Sequence, residues 1–249
     1  MKKALYWILS ILGALFLLLG LISCLASKPL PPGTEGVEAD ALAQKMLRSI
    51  NSSAWDSTGA VSWRFAKRNE HLWDRERNFA EVKWKKYRVL VDLATKQGVA
   101  FKKGERLDAA ASSKLVEQAY ASWVNDSFWL IAPTKAFDPG TSRSLVALED
   151  GSQGLLVSYS SGGVTPGDSY LWYLDSSGKP TEWRMWVSVL PIKGLSSTWQ
   201  DWQQLPTGAE IATTRKFGPV SIQIEDLKGA RHLEELLEGK TDPFLELAP

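Results

Sequence analysis

The chain has 249 residues, 29 Lys+Arg against 28 Asp+Glu, and a single cysteine. A formal net charge of +1 offers no basic excess to draw nucleic acid, and one cysteine excludes an internal disulfide. The body must therefore rest on its own apolar core, which a chain of this length can build.

Lys2 and Lys3 precede an apolar run from Leu5 to Ile22, and Cys24 follows it. A positive start, an apolar stretch and small residues near a cut site are the layout of an export signal. Leu21-Ile22-Ser23-Cys24 resembles the bacterial lipobox, in which signal peptidase cuts before an acylated cysteine. That resemblance implies a mature chain beginning at Cys24, tethered to a membrane by its acyl chains. Each buried methylene contributes about 0.8 kcal/mol, so two or more chains anchor stably. The competing reading is an uncut signal anchor, since the run approaches the ~20 apolar residues that span a bilayer. Lys2 and Lys3 would then stay inside. Both readings place the body outside the cytoplasm, but the anchor leaves Cys24 without a role. Removing residues 1–23 removes two lysines and no acid, leaving a net charge of −1.

Residues 24–36 hold Pro29, Pro31, Pro32, Gly33 and Gly36, and read as an extended tether to one domain over 37–249. Residues 37–51 read as a helix, with Leu42, Met46, Leu47 and Ile50 at helical spacing. The period then changes to two. Val61, Trp63 and Phe65 alternate with polar residues, as do Ala80, Val82 and Trp84, and then Tyr87, Val89 and Val91. Arg68-Asn69, Arg77-Asn78, Gln97-Gly98 and Lys103-Gly104 fill the gaps as short antiparallel connections.

A helix follows Asp108, a good N-cap, and runs to about Asn125 with Leu115, Val116, Ala119, Tyr120 and Trp123 on one stripe. Strands then fit residues 143–149, 154–160, 169–175, 181–189, 198–204, 209–215 and 219–227, and a short helix at 231–238 ends before Gly239. Ten or eleven sequential strands with two or three helices predict a mainly β, α+β fold: a large antiparallel sheet curled into a half-barrel over its helices.

Twelve tryptophans need an explanation, and all but Trp7 lie in the exported part. On strand 170–174 and strand 181–189 both faces carry bulky groups, so something must cover both. Most such rings are core, because aromatics dominate packing. A subset could instead line a groove for an apolar guest, and Trp63, Trp84, Trp172, Trp183 and Met185 are the candidates. A third reading is sugar stacking on exposed rings, which Trp199 and Trp202 fit best.

Catalytic patterns are sparse. His71 and Asp74 are close in sequence, but on an alternating strand they point to opposite faces. His232 sits in a charged tail. No Gly-x-Ser-x-Gly surrounds a serine, and no lysine follows Ser160-Ser161-Gly162-Gly163 as a phosphate loop requires. Neither an enzyme, a metal site nor a cofactor is expected. The turn-rich stretches within 138–169 could form the rim of a groove, or be ordinary connections.

Cys24, the amphipathic first helix, the curled sheet and the inserted helix together resemble the lipoprotein-carrier family of the bacterial envelope, its periplasmic carriers and outer-membrane acceptors. Asn125-Asp126-Ser127-Phe128-Trp129-Leu130 and Phe137-Asp138-Pro139-Gly140-Thr141 resemble uncharacterised envelope proteins near that fold. The resemblance implies an incomplete barrel, lidded by helices, that holds acyl chains on its inner face. The expectation is an envelope protein facing the periplasm, anchored by lipid to the outer membrane, with a lipid or lipoprotein as ligand. An interaction protein with a filled core is the first alternative, and a glycan-binding or hydrolytic envelope protein the second.

Overall fold

The computed structural model describes residues 25–161 and 167–247, together with Trp7, Gly13 and Ser23. Cys24, most of the export segment and residues 162–166 of the predicted rim lie outside the described residues.

The protein is mainly β. It begins with β1 (Thr34–Glu35), α1 (Val37–Ser49) and α2 (Ser52–Asp56). Next comes a run of hairpins: β2 (Ala60–Phe65), β3 (Asn69–Asp74), β4 (Phe79–Trp84), β5 (Tyr87–Asp92), β6 (Gly98–Lys102) and β7 (Glu105–Arg106). The long helix α3 (Ala109–Ile131) follows, with a 3-10 turn at Ala132–Lys135. A second run holds β8 (Thr141–Ala147), β9 (Gln153–Tyr159), β10 (Ser169–Leu174), β11 (Pro180–Trp186), β12 (Leu195–Thr198), β13 (Gln200–Gln204), β14 (Glu210–Phe217) and β15 (Val220–Ala230). Helix α4 (Leu233–Leu237) and a 3-10 turn at Pro243–Leu247 end the described chain.

All strand pairs are antiparallel. Six strands form one sheet in the order β1-β8-β9-β10-β11-β12, and nine form another in the order β13-β14-β15-β2-β3-β4-β5-β6-β7. Trp199 alone separates β12 from β13, so the chain passes from one sheet to the other without a turn. The amide of Lys216 on β14 donates to Thr198 Oγ1 on β12 at 3.1 Å, stitching the two sheets at that point. Neither sheet closes on itself, and the result is the expected curled half-barrel, with α1 and α3 on its inner face and α4 on the outer one.

Local chemistry explains the elements. On β2, Val61, Trp63 and Phe65 are buried while Ser62 and Arg64 alternate outward. Lys103 and Gly104 both have positive φ, as the tight hairpin between β6 and β7 requires. Asp108 caps α3 by accepting from the Ala111 amide at 2.8 Å.

Helix α3 runs six residues past its predicted end at Asn125. The polar triplet Asn125-Asp126-Ser127 reads as a helix end, but Asp126 and Ser127 are buried and partnered, and tertiary packing overrides their weak propensity. Five short strands have no counterpart in the sequence reading or only a partial one: β1, β3, β6, β7 and β12. With two to six residues each, they offer little periodicity to detect.

Candidate functional site

The concave face carries the predicted groove residues. Trp172, Trp183 and Met185, each at most 1% exposed, meet in one cluster with Ala43 and Met46 of α1. Trp183 lies at its centre, with ring centroids 4.7 Å from Tyr170, 4.9 Å from Trp129, 4.9 Å from Trp172 and 5.0 Å from Trp199. Trp63 belongs to a second cluster with Trp55, Phe65, Leu130 and Ile131. Trp84 is half-buried against a third, formed by β4, β5 and α3. The fold thus brings three of the five candidates together and places the other two further along the same covered face. Trp199 is buried and Trp202 half-buried under Lys179, so these two form no exposed row for a sugar.

Both faces of β11 are covered, as its sequence requires. Helices and rings cover the inner face. On the outer face, Trp186 donates through Nε1 to the Lys28 carbonyl at 2.8 Å, which docks the tether there. A cavity of about 330 Å³ lies under that tether, lined by Lys28, Pro31, Tyr173, Arg184 and Trp186. A second cavity of about 580 Å³ lies outside the nine-stranded sheet beneath α4, among charges of both signs including Arg64, Glu81, Lys83 and Lys228.

Helix α3 is fastened over the inner face by two sets of polar contacts. Asp126 Oδ2 accepts from Asn69 Nδ2 at 2.8 Å and lies 2.8 Å from His71 Nε2, and its Oδ1 accepts from Asn125 at 2.9 Å. The His71 ring stacks on Trp63 with centroids 4.5 Å apart. Near the helix C-terminus, Arg215 Nη2 on β14 donates to the Trp129 carbonyl at 2.9 Å. A cation at that end complements the helix dipole and satisfies a carbonyl left over by the last turn. Arg215 is fully buried, and burial pushes its guanidinium well below its ordinary pKa.

The interior is rich in donors and short of acceptors. The indole N–H groups of Trp63, Trp73, Trp123, Trp183 and Trp199, and Nε of Arg215, are buried with no hydrogen-bond partner among the described residues. Some edge-to-face pairs, such as Trp73 and Trp123 at 82°, offer ring faces instead, which are weaker acceptors than oxygen. Burial also raises the Tyr159 and Tyr170 phenols well above their ordinary range.

His71 and Asp74 do face opposite ways: His71 meets α3, whereas Asp74 pairs with Arg77 at 2.5 Å. The sequence reading missed Asp126 as the partner of His71, because 55 residues separate them. It also missed Arg215, although a signal existed. Residues Ala209, Ile211 and Arg215 share the phase of one predicted strand, which puts a cation on an apolar face. Among the described residues, no cluster of three His, Cys, Asp or Glu could hold a metal, and no helix is long and apolar enough to cross a membrane.

No protein-family model matches the chain, and no curated protein matches it. Among solved structures, it is similar to a domain from Vibrio parahaemolyticus, provisionally described as an outer membrane lipoprotein-sorting protein domain. The match has 13% identity and a TM-score of 0.33, and it covers 80% of this chain and 97% of the other. A likeness of that size carries no argument about function.

Proposed function

We propose that this is an exported envelope protein, lipid-anchored at Cys24, that binds an acyl chain or other apolar molecule between its curled sheet and α3, in the handling of lipids or lipoproteins. The observation that supports this most is the cover of the concave face. Helix α3, fastened by Asp126 and by the Trp129 carbonyl, lies with α1 over a wall of aromatic rings. Displacing the C-terminal half of α3 would expose part of that wall to a guest. The driving force is apolar burial at about 25 cal/mol per Å². No bond is made or broken, and the reading assigns no catalytic residue. Leu25 after the cysteine carries no charge, which favours the outer membrane as the site of the anchor.

A second reading is a tethered interaction protein whose interior is its own core. The near-complete burial of Trp172, Trp183 and Met185 against one another favours it. Mass spectrometry of an organic extract from gently purified protein separates the two. A stoichiometric lipid supports the binding reading. An empty protein that also fails to take up fluorescent fatty acids leaves the scaffold.

A further inference from the structure

Arg215 is the most unusual group in the interior. Its side chain is fully buried, yet no carboxylate pairs with it among the described residues. Nη1 donates to the Thr214 carbonyl at 3.1 Å and Nη2 to the Trp129 carbonyl at 2.9 Å. The guanidinium carbon lies 3.5 Å from the centroid of Trp199, and Nε has no partner among the described residues. A guanidinium keeps its charge in proteins, and an uncompensated buried charge is among the costliest groups a core can hold. Among the described residues the indole N–H groups of Trp183 and Trp199 also lack hydrogen-bond acceptors, and those rings are 5.0 Å apart. Three donors of one region therefore lack oxygen partners. Around them, Phe128, Tyr170, Trp172 and Trp183 form a hydrocarbon-like wall.

An oxyanion on a hydrocarbon chain matches both halves of this arrangement. Its oxygens suit the fork of an arginine, and charge-assisted bonds of that kind are the strong ones. We propose that the half-barrel takes an anionic amphiphile, a long-chain carboxylate in its simplest form, whose head group pairs with Arg215 in place of the Trp129 carbonyl. The chain then lies among the rings of β10 and β11. This rests on the apolar-ligand reading and adds to it the sign of the ligand's charge and the residue that selects it. The same exchange frees the C-terminal turn of α3, so the head group itself releases the cover.

The test is a comparison of hexadecanoate with hexadecanol, equal in chain length and different in charge. Binding to the full-length protein, stripped of lipid on a hydrophobic resin, is followed by quenching of tryptophan emission below the aggregation limit of each probe. The expected result is at least tenfold tighter binding of the carboxylate. In Arg215→Met that preference should vanish while hexadecanol still binds, and Arg215→Lys should keep part of it. Should Arg215→Met fail to fold, the wild-type ratio and the lysine variant still decide. Equal affinities in the wild type overturn the assignment of Arg215 and leave apolar binding standing. A preference that survives in Arg215→Met does the same. Binding of neither probe overturns both.

Discussion

His71 on β3 and Asp126 on α3 lie 2.8 Å apart, although 55 residues separate them in the chain. Asn69 donates to the same carboxylate oxygen at 2.8 Å, so one buried acid ties the long helix to one strand at two points. Removing it leaves the buried His71 and the half-buried Asn69 without that acceptor. Asp126→Ala is expected to lower stability by about 3 kcal/mol, the cost typical of breaking a buried charged contact. Asp126→Asn keeps an acceptor and should lose less. Urea unfolding measures both, and a loss below about 0.5 kcal/mol for the alanine variant would remove this pair from any role in holding α3.

Trp183 touches five other aromatic rings, from β10, α3 and the junction at Trp199. Trp183→Ala should cost about 3–5 kcal/mol through lost burial and the hole left behind. The half-buried Trp202, under Lys179, should cost about 1 kcal/mol when replaced by Ala. Comparable losses at the two positions would show that the ring cluster is not the centre of the fold.

Tyr159 and Tyr170 are held neutral by burial, with Asp168 adding repulsion at Tyr170. Unfolded tyrosines ionise near pH 10. Above that pH the unfolded chain loses protons that the folded chain keeps, so stability falls as pH rises. The contribution is intact below about pH 10, and each phenol then removes about 1.4 kcal/mol per pH unit. The double variant Tyr159→Phe/Tyr170→Phe should unfold with a shallower alkaline slope. Identical slopes for variant and wild type between pH 10 and 11 would contradict the burial of these phenols.

Cys24→Ser tests the anchor directly. The expected outcome is release to the soluble fraction or accumulation of uncut precursor. Unchanged size and membrane retention on fractionation would count against lipidation and favour the uncut helix.

The alternation of Val61, Trp63 and Phe65, and of Ala80, Val82 and Trp84, makes the wall of the half-barrel legible in the sequence, because period two leaves little choice of face. The bulky residues on both faces of β11 announce cover on both sides, and Lys28 docked on Trp186 provides the outer one. What the sequence hides is long-range partnership. Asp126 reads as a helix end until His71 is placed beside it, and Arg215 reads as one more charged residue until its strand phase is compared with that of Ile211. The junction at Trp199 is hidden for a similar reason, since nothing local marks where a straight stretch of chain changes sheets.

The docking of the tether limits how far the body can stray. The Lys193 amide donates to Ser27 Oγ at 3.0 Å, the Lys28 amide donates to the Lys193 carbonyl at 2.9 Å, and Thr34 and Glu35 pair with β8, so the segment is fastened from its third residue after Cys24. Three residues span at most about 11 Å when stretched. An acylated Cys24 would thus keep the six-stranded sheet close to the lipid surface. A protein so anchored would have too short a leash to ferry cargo between two membranes.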